Sequence, residues 1–132
     1  MHTNNNISSR PGIMIDINKS KIRIPRKTIA CMGDPEYIQV LVNPSTKHIG
    51  LVRCNRNSYS SILVDNETLS EKTPFEIYAK GLIERLTALL PDWKKKGCYF
   101  IPRTNTSSTS DAVFRMSDYI PLKASEVDDI WQ

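Results

Sequence analysis

Lys19, Lys21 and Arg23 alternate with Ser20, Ile22 and Ile24, and Arg26 and Lys27 follow directly after Pro25. Along an extended chain, side chains point alternately to opposite faces, so the three bases would share one face and the two isoleucines the other. Such a row of cations could lie along the phosphates of a polyanion, with Arg53 and Arg56 joining it if a later strand pairs nearby. A helix start after Pro25 would add backbone amides that attract phosphate. Arginines in the set could read guanine edges in a duplex. The same pattern also has a purely structural meaning. One face of a half-buried antiparallel strand is polar, and Lys and Arg commonly fill it.

The charge is unevenly spread. The formal net charge is +4. Residues 1–60 carry nine Lys and Arg against Asp16, Asp34 and Glu36, whereas residues 61–132 carry nine bases against eleven acids. A basic first half fits a surface that meets a polyanion, and it also fits ordinary surface solvation. Lys94-Lys95-Lys96 beside Trp93 could serve a single strand of nucleic acid. The simpler reading is a solvated loop with Trp93 covering an edge of the core.

Other chemistry is poorly represented. Cys31, Cys54 and Cys98 are odd in number and contain no C-x-x-C pair, which argues against a disulfide framework or a zinc site. His2 and His48 lack placeable partners, and the chain has no H-E-x-x-H, no G-x-S-x-G and no glycine-rich phosphate loop. Asp128-Asp129 reads as a solvated acidic pair in a tail. The expectation is a protein that is not an enzyme and needs no cofactor or metal. No apolar run approaches the roughly 18 residues of a membrane span, and residues 1–6 do not resemble a secretory signal. A cytoplasmic location is expected.

The elements that must position the bases follow from periodicity. Residues 1–12 are polar and end in Pro11-Gly12, a flexible lead-in. Ile15 and Ile17, then Ile22 and Ile24, mark two short strands joined by the turn residues Asn18-Lys19-Ser20. Pro25 closes the second strand and suits the first turn of a helix. Ile29 and Met32 are three apart, and Gly33 stands where a helix-ending glycine belongs, so 25–32 is expected to be helical. Tyr37–Val42 is β-branched and aromatic, and His48–Arg53 returns as its antiparallel partner across Asn43-Pro44-Ser45-Thr46-Lys47. Ile62-Leu63-Val64 could form a short strand. Residues 73–90 have two readings. Thr73-Pro74-Phe75-Glu76 is either a capping box opening one long helix, or Phe75–Tyr78 is a strand followed by a helix from Ala79 or Lys80. Cys98–Ile101 and Ala112–Met116 read as strands. Val127, Ile130 and Trp131 could dock as a small terminal helix.

The order strand, helix, strand, strand thus occurs in residues 13–56 and can occur again in 73–117. IRIPRKTIACMG followed by YIQVLV and HIGLV resembles the swapped-hairpin DNA-binding module of AbrB-type transition-state regulators and MazE-type antitoxins. Ile22, Ile24 and Pro25 match its strand end, and Met32-Gly33 stand in place of its Leu-Gly. The resemblance covers about residues 15–53. It departs at Ile29, where family members often carry an arginine, and at Asp34-Pro35-Glu36, which replaces a Gly-Asp pair.

What the resemblance implies is an α+β fold of antiparallel hairpins forming a small barrel with short helices, with a tandem copy building within one chain what the family builds by dimerisation. It also implies double-stranded DNA as ligand and a role in transcription regulation or as an antitoxin-like component. The site residues would be Lys19, Lys21, Arg23, Arg26, Lys27, Arg53 and Arg56. The alternative is a non-catalytic protein-interaction or scaffold domain with a protein partner and no DNA binding. The expected organisation is a flexible segment 1–12, one globular domain over 13–122 and an acidic tail over 123–132. Monomer and homodimer are both compatible with it.

Overall fold

The computed structural model describes residues 10–65, 74–93, 97–104 and 111–123. The expected lead-in up to residue 9, Thr73 of the capping box, Lys94–Lys96 and the terminal helix with Val127, Ile130 and Trp131 lie outside the described residues. The fold is α+β, with nine strands in two antiparallel sheets and two α-helices among the described residues.

The chain opens with the hairpin that alternation predicts. β1 (Gly12–Asp16) pairs with β2 (Lys21–Ile24), Ile15 opposite Ile22 and Asp16 opposite Lys21. The turn tightens at Ser20, whose φ is 55°, and Asp16 Oδ1 accepts the Lys19 N–H at 3.0 Å. Pro25 ends β2 and precedes the helix α1 (Arg26–Cys31), its carbonyl accepting the N–H groups of Thr28 and Ile29. Gly33 (φ 83°) and Asp34 (φ 50°) take left-handed backbone and stop the helix, with Gly33 N–H returned to Ala30 O.

β3 (Tyr37–Asn43) and β4 (His48–Arg53) form the second hairpin. The Asn43 side-chain oxygen accepts the N–H groups of Ser45 and Thr46, and Lys47 has φ 58°. β5 (Ile62–Leu63) pairs with the start of β3. β6 (Phe75–Tyr78) is a strand and α2 (Lys80–Leu89) a separate helix, which decides between the two readings of residues 73–90. β6 wins because its alternate residues Phe75 and Ile77 pack on the core while Glu76 and Tyr78 face away, a period of two rather than 3.6.

β7 (Cys98–Pro102) and β8 (Asp111–Arg115) follow. A short 3-10 turn (Met116–Asp118) then leads to β9 (Ile120–Leu122), which the polar C-terminal sequence did not suggest. Pro121 weakens the strand signal, and the strand survives because it lies at a sheet edge.

Sheet A has the order β6-β2-β1-β7-β9 and sheet B the order β5-β3-β4-β8. Between the end of β7 and β8 the described residues form one isolated bridge, Arg103 with Phe114, and a few hydrogen bonds from Arg103 and Thr104 rather than a ladder of paired strands, so the two sheets do not close into a barrel. The core lies between them. Ile13, Ile15, Ile22, Ile24, Tyr99 and Ile101 come from sheet A, and Ile38, Ile49, Leu51, Ala112 and Phe114 from sheet B. Ile29 and Met32 enter from α1 and its end, and Ile83 and Leu86 from α2. Thr28 anchors α1 to sheet A, its hydroxyl accepting from Gly12 N–H at 2.9 Å and donating to Gly12 O at 2.7 Å.

Candidate functional site

The face of sheet A away from the main core is where the basic strand shows its charges. Register places Met14 and Asp16 of β1 beside Arg23 and Lys21 of β2, with Glu76 and Tyr78 of β6 on one side and Cys98 and Phe100 of β7 on the other. Lys21 and Arg23 do share this face, as alternation requires. It is not an open track. Met14 and Phe100 are fully buried and form a small apolar cluster with Cys98, Ile120 and Leu122. Arg23 is only 7% exposed, which corrects the expectation that it projects into solvent.

A buried guanidinium needs compensation, because removing an unpaired charge from water costs several kcal/mol. Arg23 has two carboxylates. Its Nη2 lies 3.7 Å from Asp16 Oδ2, and its Nε lies 3.0 Å from Glu76 Oε2. The Nε–H points off that oxygen and completes no directed hydrogen bond, so the Glu76 contact is an attraction between charges. Nη1 reaches Met14 Sδ at 4.0 Å. Glu76 also holds Lys21, whose Nζ is 3.2 Å from Oε1. Asp16 and Glu76 thus neutralise the centre of the basic strand. Both are missed when the bases are read alone, yet each occupies an alternate, outward position of its own strand, and that signal could have found them.

The remaining bases are scattered. Arg26 Nη2 is 3.5 Å from Asp34 Oδ1 across α1 and its end. Lys19 is exposed in the β1–β2 turn, Lys27 on α1, Arg53 at the end of β4 and Arg56 in the loop beyond. None of these four forms an ion pair among the described residues. The seven expected site residues therefore divide into Lys21, Arg23 and Arg26, which are paired with acids, and four exposed cations spread over a turn, a helix, a strand end and a loop.

Cys98 adjoins the same network. Burial pushes its thiol up to about 12, and Asp16, close by and bonded to it, pushes in the same direction; Arg23 and Lys19 pull weakly the other way. A thiol held so far above neutrality is not a nucleophile at physiological pH. Cys31 is raised as well, first by burial, with the charge of Arg103 opposing, and its Sγ–H donates to Thr28 O at 3.1 Å. No group of three or more His, Cys, Asp or Glu side chains suited to a metal occurs among the described residues.

Two other features stand apart. Trp93 stacks on Tyr99 with ring centroids 4.6 Å apart, and Tyr119 meets both edge-on. This places Trp93 in the core, with its Nε1–H buried and without a partner among the described residues. On the outer face of sheet B, Leu41 and Leu63 are more than half exposed, and Tyr59 is exposed in the loop before β5. No helix among the described residues is long and apolar enough to cross a membrane. No family model, curated protein or solved structure matches the chain.

Proposed function

We propose that this chain is a non-catalytic protein-interaction domain, of the alternative type its sequence allows. The observation that carries this reading is the neutralisation of Arg23 and Lys21 by Asp16 and Glu76. A phosphate-binding strand needs cations that are exposed and free to exchange condensed counterions for protein contacts. Here the central arginine is buried and committed to two carboxylates, while exposed leucines lie on the other sheet.

Binding of double-stranded DNA is the second reading, favoured by Lys19, Lys27, Arg53 and Arg56, which are exposed and outside every ion pair among the described residues. Descent from a duplicated AbrB-like unit belongs with it. What supports a duplication is that equivalent strands of the two halves pair with each other antiparallel, β2 with β6 and β4 with β8, as a two-fold relation would require. On this reading the chain is a cytoplasmic regulator or antitoxin-like component.

A salt titration of binding to mixed-sequence duplexes separates the two. The interaction reading expects no binding at low salt. Affinity that falls with log salt with a slope up to about −4, as four phosphate contacts would give, and that is lost in a Lys19→Glu/Lys27→Glu/Arg53→Glu/Arg56→Glu variant, overturns it in favour of DNA.

A further inference from the structure

Among the described residues, sheet B leaves an edge of β3 unguarded. β5 pairs only with Tyr37 and Ile38 of β3, so Gln39–Asn43 has β4 on one side and no described strand on the other. Alternation identifies the backbone groups that look outward. Cys54 N–H donates to Tyr37 O at 3.0 Å on the β4 side, and Val64 N–H donates to Glu36 O at 2.8 Å on the β5 side. Successive residues of an antiparallel strand address opposite neighbours. Val40 and Val42 therefore turn both N–H and C=O to the open edge, where no partner meets them among the described residues.

Among the described residues, the edges at β9, β8 and β6 differ from it. β9 contains Pro121. β8 is covered by Thr104, whose N–H donates to Val113 O at 2.6 Å and whose hydroxyl accepts from Arg115 N–H at 3.0 Å. The open groups of β6 belong to Glu76 and Tyr78, since Ala79 N–H, in step with Phe75 and Ile77, is bonded inward to Ser20 O. A copy of β6 centred on Glu76 would bring two carboxylates together. β3 has no charge, no proline and no glycine from Tyr37 to Asn43, the composition that leaves an edge open to pairing.

The open stretch is also nearly symmetric. Gln39-Val40-Leu41-Val42-Asn43 has a valine on each side of Leu41 and a carboxamide beyond each valine. We propose that β3 pairs with β3 of a second copy of this chain, antiparallel, about a two-fold axis at Leu41. Val40 of each copy then faces Val42 of the other, and the pairs exchange four backbone hydrogen bonds. Leu41 meets its counterpart in a non-hydrogen-bonded pair, where side chains come closest. Gln39 faces Asn43, and because Asn43 Oδ1 already accepts from Ser45 and Thr46 while Gln39 Nε2 donates to Tyr59 O at 2.6 Å, the pairing across the axis is Asn43 Nδ2–H donating to Gln39 Oε1. Gly50, opposite Leu41 on β4, contributes no side chain to cover it, and Leu41 is 51% exposed in the single chain. Five residues lack a strand partner here among the described residues and five are needed; the loop before β5 reaches only the Gln39 side chain, through Tyr59 O, and the turn at Pro44 starts where β5 begins to cover β3. The pairing makes one eight-stranded sheet across two copies. It is independent of whether the chain's other partner is a protein or DNA.

Sedimentation of the full chain over a hundredfold range of concentration tests this. The expected result is a reversible monomer–dimer equilibrium that Leu41→Lys weakens about tenfold or more, because two ammonium groups then face each other. Far-UV circular dichroism checks that the variant keeps its fold. Independently, Leu41→Cys should cross-link between copies on mild oxidation, since the expected Cα separation of about 4.5 Å in such a pair suits a disulfide. The parent chain, with only Cys31, Cys54 and Cys98, should not. A chain that stays monomeric throughout, a dimer indifferent to Leu41→Lys, or a Leu41→Cys chain that does not cross-link overturns the proposal.

Discussion

Arg23 Nε lies 3.0 Å from Glu76 Oε2, across the register that pairs β2 with β6. One contact thus joins the basic strand of the first half to a strand of the second, and it converts an apparent cationic face into a closed network with Asp16 and Lys21.

The two carboxylates of that network should differ in weight. The Asp16 side chain is 4% exposed and Glu76 39%. Asp16→Asn leaves a buried guanidinium half compensated and is expected to cost about 3–5 kcal/mol. Glu76→Gln, screened by solvent, should cost about 1 kcal/mol or less. Arg23→Met leaves the buried Asp16 carboxylate without its guanidinium and should cost about as much as Asp16→Asn. Urea denaturation of the three variants checks the order, and equal costs for Asp16→Asn and Glu76→Gln would contradict it.

Thr28 satisfies both backbone groups of Gly12. Thr28→Val keeps the shape and strands a buried donor and acceptor, with an expected loss of about 2–4 kcal/mol. Thr28→Ser should restore most of it. Thermal or urea unfolding measures both, and a neutral Thr28→Val would show that the two bonds carry no net stability.

Gly12 has no room for a side chain. A Cβ there would collide with the Phe100 ring and stand 2.7 Å from Ile101 O. Because the second contact is backbone, rotation of Phe100 cannot relieve it. Gly12→Ala is expected to destabilise by about 1–3 kcal/mol through overpacking, whereas Gly81→Ala, in open space on α2, should stabilise by about 0.5–1 kcal/mol through helix propensity.

Cys98 links stability to alkaline pH. Its folded-state thiol titrates near 12, above the ordinary value of 9.0. A group raised on folding contributes stability that is complete below the unfolded value and is lost as pH rises through the folded one. Between about pH 9 and 12 the parent chain should therefore lose more stability than Cys98→Ala, as read from urea midpoints. Native Cys98 should also resist alkylation at pH 8. Parallel pH curves for the two proteins would remove the assignment.

The local pattern was legible wherever one face is apolar and the other polar. Ile15 with Ile22 and Ile24, Tyr37–Val42, and Ile49 with Leu51 announce their strands, and Ile29, Met32 and Gly33 announce α1 and its end. Residues 73–90 were not decided by pattern, because Phe75–Tyr78 satisfies both periods and only pairing with β2 selects the strand. β9 was hidden by Pro121, which an edge position tolerates. The bases were visible as residues, but their role was not.

Sequence by itself determined which residues of the basic strand share a face, since alternation is a property of the extended backbone. Only the tertiary structure decided that this face is neutralised. Its compensating carboxylates sit on β1 and β6, and its cover of Met14 and Phe100 comes from β1 and β7. A charge's environment is set by through-space neighbours, and these become neighbours only when strands distant in the chain pair.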